Sequence, residues 1–112
     1  MFVHMTLKKQ VCENFFSNFS DRTRLQIILA LYEQDLSVNE IASKIKEEQS
    51  NVSHHLKKLT KCGIVTFRVE WKKRIYSLNK NIVMPLLNLV SEHMKKNCHK
   101  NCTRDCLRCV SG

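Results

Sequence analysis

The residues best suited to metal or redox chemistry lie at the C-terminal end of this 112-residue chain, where four cysteines occur within the last fifteen positions. They follow the pattern C-x3-C-x3-C-x2-C and are Cys98, Cys102, Cys106 and Cys109. Thiolates are soft ligands that favour Zn(II), Cd(II), Pb(II), Cu(I) or As(III), and four of them can complete a tetrahedral or trigonal set. The spacing therefore predicts a site for a thiophilic metal or metalloid ion.

Helix geometry limits how these thiols can share one ion. On a straight helix Cys98 and Cys102 are one turn apart, whereas Cys106 would lie about 12 Å from Cys98 along the axis. A single four-sulfur site therefore requires the chain to bend between residues 103 and 105. Without that bend, some of the ligands must come from elsewhere in the chain.

The charges around these cysteines leave two other interpretations open. Neighbouring positive charge lowers the pKa of a thiol, which favours metal binding but equally favours oxidation or persulfide formation. The tail is predicted to sense a metal or metalloid, and the alternatives are a thiol-redox or sulfide switch and a disordered tail without a sensing role. The flanking cations are Lys95, Lys96, Lys100, Arg104 and Arg108.

Cysteine usage and hydropathy bear on the compartment. Six cysteines would suggest a disulfide framework in a secreted protein, but the N-terminus lacks a charged region followed by an apolar stretch and a cleavage site. No apolar run approaches the roughly 18 residues needed to span a bilayer. We therefore expect a cytoplasmic protein with no membrane partner.

Positive charge is concentrated in one block of the sequence. Residues 50–80 carry eight Lys/Arg against one acid, a balance of +7, whereas residues 12–49 carry four against seven acids, a balance of −3. A separated basic block is the electrostatic footprint expected of a protein that binds a phosphate backbone. Nucleic acid is therefore the predicted partner, and the alternative is a solvated basic surface.

The elements that position these residues are predicted to be mostly helical, because the chain has only two glycines and one proline. Apolar periodicity predicts a first helix over residues 5–18 and a second that is capped by Ser20 or Asp21. Ser37 and Glu40 form an S-x-x-E capping box, which marks the start of a third helix. The apolar stripe of the second helix is predicted to be Leu25, Ile28, Leu29 and Tyr32.

A fourth helix is predicted over residues 49–62, with Gly63 as its C-terminal stop. After Gly63 the period changes to alternation, which predicts a β-hairpin with the polar sequence EWKK at its tip. A last helix begins near Asn81. Apolar positions expected to share a face are Val65, Phe67 and Val69 in the first strand, Tyr76 and Leu78 in the second, and Val83, Leu86, Leu87, Val90 and Met94 in the last helix.

A short helix, a longer helix and a basic hairpin form the order of a winged helix-turn-helix, a mostly α fold with a β-hairpin wing. Residues 1–95 are predicted to form this DNA-binding domain and residues 96–112 the cysteine-rich tail. The second helix of the motif lies in the major groove of DNA, with the wing beside it. The predicted DNA contacts are Gln49, Ser50, Asn51, Ser53, His54, Lys57, Arg68, Lys72, Lys73 and Arg74.

The predicted contacts divide by chemistry. Asn and Gln can read adenine with two hydrogen bonds, and Ser and His can bond bases or phosphates. Lys57 and the wing cations would contact phosphates, whereas His55 lies closer to the apolar side and is expected to pack in the core. The alternative is a polar face on an ordinary helical domain. An enzyme is disfavoured, because the sequence has no glycine-rich phosphate loop, nucleophile elbow or credible carboxylate pair.

A family resemblance covers roughly residues 12–95. It is carried, in this order, by the runs FFSNFSDRTRLQIILAL, LSVNEIA, SNVSHHLKKL, GIVTFR and RIYSL. In these runs the sequence resembles the ArsR/SmtB family of metal-responsive repressors. The resemblance implies a homodimer built through the first and last helices, a palindromic operator bound in the metal-free state, and release on binding the inducer. Twofold symmetry would place two recognition helices about one DNA turn apart.

The resemblance also bears on the ligands. The family's E-L-C-V-C thiolate site is absent, because the equivalent residues 35–39 read DLSVN. Of the Asp and His ligands that the family uses across the last helices, only His93 matches. Cys12 lies on the helix that packs with the last helix at the family's dimer interface, so Cys12 and His93 are further metal candidates; the alternative for Cys12 is a buried packing residue. At the wing tip, where the family usually has glycine, this chain has Trp71.

Overall fold

The structure is a computed structural model that describes residues 8–97. Within this range the backbone divides into a first unit that ends at Asn79 and a second that starts at Lys80. None of the helices in the range has the length and apolar character of a membrane span. The elements in chain order are α1 (Lys9–Ser20), α2 (Arg22–Glu33), β1 (Leu36–Ser37), α3 (Val38–Ile45), α4 (Gln49–Lys61), β2 (Val65–Glu70), β3 (Lys73–Leu78) and α5 (Val83–Asn97). The predicted mostly helical fold with a hairpin wing is confirmed.

Side-chain caps set the starts of α2 and α3. Asp21 caps α2, since its Oδ2 accepts the backbone N–H of Arg24 at 2.9 Å. Ser37 and Glu40 bond reciprocally at the start of α3: Ser37 Oγ accepts the backbone N–H of Glu40 at 3.3 Å, and Glu40 Oε1 accepts that of Ser37 at 2.8 Å. The predicted capping box is therefore confirmed, and it satisfies two backbone donors that a helix start leaves without partners.

The end of α4 depends on a left-handed residue. Gly63 has φ of +74°, and the N–H of Ile64 reaches back to the carbonyl of Leu59 at 3.0 Å. A side chain would be strained in this conformation, so glycine is the favoured residue here and the predicted stop is confirmed. In the turn between α3 and α4 the same left-handed region is occupied by Lys46, with φ of 59°.

The sheet has one strand that sequence patterns did not predict. The two-residue strand β1 pairs antiparallel with β3, which gives the order β1-β3-β2. Two residues are too few to show an alternating pattern, so this strand is defined only by its partner. Strands β2 and β3 pair from Val65 with Leu78 to Glu70 with Lys73, which leaves a two-residue loop at the wing tip.

The inward face of α2 differs from its predicted stripe. Ile28 is buried as expected, but Leu29 is 46% exposed, while Ile27 and Leu31 are buried. The helix carries an almost continuous apolar run from residue 27 to residue 31, so more than one stripe fits its periodicity. Packing against the rest of the first unit, rather than periodicity, selects the face.

The wing is buried only at its base. Val65 is 1% exposed, whereas Phe67 and Val69, predicted to share its face, are 41% and 65% exposed. On β3 the predicted inward pair, Tyr76 and Leu78, is buried. The distal part of the hairpin therefore extends beyond the core and presents its side chains to solvent.

Removing the α3 cap should destabilise the protein measurably. We expect Ser37→Ala to lower the free energy of unfolding by about 1 kcal/mol, because the backbone N–H of Glu40 loses the Oγ that accepts it. Ser43→Ala, an exposed change in the same helix, is the matched control and should leave stability within about 0.5 kcal/mol. Urea unfolding at one fixed protein concentration measures both. Equal midpoints for the two variants would show that the capping box contributes nothing.

Candidate nucleic-acid interface

Helix α4 separates its residues into a buried and an exposed face. Val52, Leu56 and Leu59 have no exposed surface, and their spacing places them on one stripe of the helix. Burial of this stripe fixes the rotation of α4 about its axis, so the opposite face must point to solvent. That exposed face carries Gln49, Ser50, Ser53, His54 and Lys57.

A polar contact with α2 also holds α4. The guanidinium NH1 of Arg24 lies 3.4 Å from Nδ1 of His55, and the same ring nitrogen is 4.0 Å from Oδ2 of Asp21. Burial lowers the pKa of His55 and so favours the neutral ring, which can accept from Arg24. The backbone N–H of Arg24 lowers the pKa of Asp21. His55, largely buried, therefore lies at the contact between α2 and α4 and not on the exposed face.

Asn51 occupies a different position from the other predicted helix contacts. It is half-buried, and its amide Nδ2 donates to Oε1 of Glu47 at 2.9 Å. With Ser50 and His54, the residues Asn51, Glu47 and Glu48 line an open cavity of about 470 Å³. Two carboxylates at this end of α4 disfavour a phosphate there, and the bond to Glu47 occupies one of the two N–H donors of the Asn51 amide.

The wing tip is a two-residue turn of Trp71 and Lys72, both with positive φ, at 51° and 69°. Such a turn matches the twist of the strands but favours glycine or asparagine, since a left-handed conformation costs other residues roughly 1–2 kcal/mol. Just after the turn, Lys73 begins β3. Three wing cations and Gln49, at the start of α4, line one cavity of about 240 Å³. Its lining residues are Ser37, Val38, Asn39, Gln49, Lys72, Lys73 and Arg74.

The two wing arginines are engaged within the protein. Arg68 donates from Nε to Glu70 at 2.6 Å and from NH1 to Asp35 at 2.8 Å, and the Asp35 and Glu70 carboxylates raise its pKa. The guanidinium of Arg74 lies over the Phe67 ring, 4.4 Å from the centroid. Arg68 is therefore neutralised by two carboxylates, whereas the charge of Arg74 is held near an aromatic face.

The predicted metal ligands fall into two groups. Cys98, Cys102, Cys106 and Cys109 lie outside the described residues. Of the further candidates, Cys12 is half-buried on α1, and His93 is exposed on α5, where its Nδ1 is 3.1 Å from Nδ2 of Asn97. Among residues 8–97 no group of three or more His, Cys, Asp or Glu side chains is arranged to hold a metal ion.

Comparison with known proteins identifies the family. Residues 21–66 match the model of the bacterial regulatory protein family arsR. A transcriptional repressor SmtB homolog from Synechocystis is 35% identical over 88 residues, which cover 79% of this chain and 67% of that protein. The chain belongs to the arsR family. The resemblance seen in the sequence is thereby confirmed.

Two other relatives extend this comparison. The cadmium resistance transcriptional regulatory protein CadC of Listeria innocua is 40% identical over 68% of this arsR-family chain and 62% of its own length. The crystal structure of NolR from Sinorhizobium fredii matches with a TM-score of 0.69 and 27% identity, over 81% of this chain and 91% of NolR. Relatives and fold are those of DNA-binding transcriptional regulators and not of enzymes.

Three residues of the α4 and wing surface of this arsR-family chain were not assigned a role from the sequence. Trp71 was noted only as a departure at the wing tip, yet its side chain is 93% exposed. Asp35 and Glu70 were not recognised as partners of Arg68. Glu70 is two residues away and could have been suspected, but Asp35 is 33 residues away and is brought close only by folding.

Releasing Arg68 from its carboxylates should convert it into a phosphate contact. We expect Arg68→Gln to change affinity for duplex DNA less than about twofold in the wild type, but about fivefold or more when Asp35→Asn and Glu70→Gln are already present. The slope of affinity against salt should grow by about one when Arg68 is freed, beyond the effect of the removed acids. Fluorescence anisotropy of a labelled duplex at several salt concentrations measures both quantities.

The matched control is Lys72→Gln, which should lose the same affinity in both backgrounds, since Lys72 does not bond either acid. If Arg68→Gln costs the same affinity in both backgrounds, the two carboxylates do not keep Arg68 from DNA.

Proposed function

We propose that this arsR-family chain is a transcriptional repressor that binds a palindromic operator as a homodimer and is released when a thiophilic metal or metalloid ion binds its C-terminal thiols. The observation that supports DNA binding best is the shared surface of α4 and the wing. Gln49, at the start of α4, and the cations Lys72, Lys73 and Arg74 line one cavity. This shared cavity supports contact of the α4 donors and the wing cations with a single duplex.

In this proposal α4 lies in the major groove. Ser53 and His54 are exposed on the face opposite the buried stripe, so they would approach base edges, while Lys57 and the wing lysines contact phosphates. Gln49 and Ser50 complete the face at the helix start. Asn51 would offer DNA its second N–H and its Oδ1, whereas Arg68 would contact a phosphate only after its charge is released by Asp35 and Glu70.

Exposed apolar side chains support a homodimer. On α1, Val11 and Phe16 are 54% and 58% exposed, and on α5, Leu89 is 69% exposed. Val90 and Met94 of α5 are also exposed. Large apolar side chains exposed on a surface helix are typical of a helix that associates with a partner. The first and last helices are the ones through which family resemblance implies dimerisation.

The chemistry of the donor set supports a metal or metalloid inducer. Four closely spaced thiols, Cys98, Cys102, Cys106 and Cys109, suit Zn(II), Cd(II), Pb(II), Cu(I) or As(III). One relative is a cadmium resistance regulator. When bound, the ion would draw thiolates together, with Cys12 or His93 as further ligands. The reducing cytoplasm, the proposed location, would keep the thiols free to bind it.

The DNA surface can be tested by separating specificity from affinity. We expect replacement of Ser53 and His54 by Ala to abolish discrimination between the selected operator and unrelated duplexes, because base contacts carry sequence information. Replacement of Lys72 and Lys73 by Gln should instead weaken binding to all sequences and flatten the salt slope by about two. Binding measured on both kinds of duplex distinguishes the pairs. Intact discrimination without Ser53 and His54 would mean that another face reads the bases.

The inducer can be tested with purified protein bound to its operator under reducing conditions. We expect at least one of Zn(II), Cd(II), Pb(II), Cu(I) and As(III) to weaken DNA binding by about tenfold or more. The Cys98→Ser, Cys102→Ser double variant should keep its DNA affinity and lose this response, whereas Cys62→Ser, at the end of α4, is the control that keeps it. If all five ions leave affinity unchanged, the metal part of the proposal is wrong.

The same titration decides the redox alternative. A thiol-redox or sulfide sensor would lose DNA affinity on addition of oxidant or polysulfide and recover it with dithiothreitol, without any metal. A protein that responds to neither metals nor oxidants is a DNA-binding regulator without thiol sensing.

A further inference from the structure

Trp71 has an exposed side chain and a left-handed backbone, and neither stabilises the fold. Its side chain is 93% exposed, so the indole packs against almost nothing. Its backbone has φ of 51°, in a turn where Lys72 is also left-handed, a conformation that favours glycine or asparagine. Because the fold gains neither packing nor a relaxed backbone from this residue, its role lies in what the wing tip touches.

The surroundings of Trp71 identify the class of partner. Lys72 and Lys73 follow it directly, and both line the cavity shared with Gln49 at the start of α4. The indole is thus carried on a basic tip beside the end of the helix that is proposed to enter the major groove. A partner that contacts the basic tip must be a polyanion, and one that also accommodates α4 must have adjacent grooves. Duplex DNA has both properties.

We propose that Trp71 enters the minor groove next to the major groove occupied by α4. This inference rests on the proposed DNA binding and adds to it a residue that reads the second groove. The minor groove is about 6 Å wide, so it admits the edge of a flat ring more readily than a helix. Apolar wedges are a recurring device of minor-groove binding.

The chemistry of the indole predicts a sequence preference. Its Nε1–H is a donor without acceptor capacity. In the minor groove A·T pairs present only the acceptors N3 and O2, whereas G·C pairs add the guanine amino group, which is a donor. Trp71 therefore favours A·T pairs at the wing position, and it should equally favour inosine·cytosine pairs, which lack that amino group.

Three short duplexes of alternating sequence test this inference: A·T, inosine·cytosine and G·C. Inosine·cytosine has the major-groove groups of G·C but a minor groove without the amino group, so it separates readout in the two grooves. We expect the wild type to bind the inosine·cytosine duplex about tenfold more tightly than the G·C duplex, and Trp71→Gly to bind these two alike, near the G·C affinity of the wild type. For the A·T duplex, whose major-groove groups also differ, Trp71→Gly should lose a similar factor of affinity. Anisotropy of labelled duplexes gives the affinities.

Two further measurements use the same proteins. Trp71 is the only tryptophan of the chain, so shielding of its fluorescence from acrylamide by the A·T and inosine·cytosine duplexes reports directly on the indole. Trp71→Gly should unfold at the same or a higher temperature than the wild type, since glycine relieves the turn, which excludes misfolding as the cause of lost affinity. Lys72→Gln is the matched control: it should weaken binding to all three duplexes and keep the preference among them.

The outcomes separate this inference from the function on which it rests. A wild type that binds none of the duplexes contradicts DNA binding itself. A second result is a wild type that binds all three duplexes but shows no preference for inosine·cytosine over G·C, and a third is a Trp71→Gly variant that keeps that preference. Either of these overturns the role of Trp71 and leaves DNA binding itself standing. Shielding of the indole that appears without DNA as protein concentration rises would instead assign the tip to self-association and would also overturn the inference.

Discussion

The burial of three side chains of α4 is the constraint on which the proposed DNA-binding surface depends. Val52, Leu56 and Leu59 have no exposed surface, and full burial of each contributes roughly 1.5–3 kcal/mol. A rotation of the helix that brought a different face outward would expose them, so its polar residues are held in place by apolar packing. The Arg24–His55 contact with α2 holds the same helix by a hydrogen bond. The DNA contacts proposed for the outer face would thus be positioned by residues that do not touch DNA.

Acidic side chains neutralise part of the positive charge on this surface. Arg68 is bonded by two carboxylates, and near the start of α4 Glu47 accepts from the uncharged Asn51 amide. Of the eight cations in residues 50–80, Arg68 is therefore neutralised within the protein, which leaves seven that these carboxylates do not bond. Loss of a phosphate-binding cation would weaken binding to unrelated DNA and to the operator alike, so selection between them would depend on base contacts.

The parts of the fold that sequence could predict are those determined locally. The capping box at Ser37 and the stop at Gly63 each depend on residues within one turn, so their signals are complete in the sequence. The face of α2 was not predicted correctly at Leu29, because its apolar run fits several stripes. The partnership of Arg68 with Asp35 and the pairing of β1 depend on chain folding over 30 or more residues. No local sequence pattern predicts such long-range partners. The metal site predicted at the tail cysteines stays a prediction, since these cysteines lie outside the described residues.

The proposed switch places a physical demand on α5. Cys98 follows Asn97, the last residue of α5, so an ion held by the tail would bias DNA binding chiefly through this helix. A ligand shifts an equilibrium only by the difference between its affinities for the two states. The two states need not differ in the structure of α4 itself, whose buried stripe can stay intact in both. If the proposed homodimer forms through Leu89, Val90 and Met94, a change in how two copies meet there would suffice, because a twofold operator requires a fixed spacing between the two helices. By linkage, DNA must weaken binding of the ion by the same factor by which the ion weakens binding of DNA.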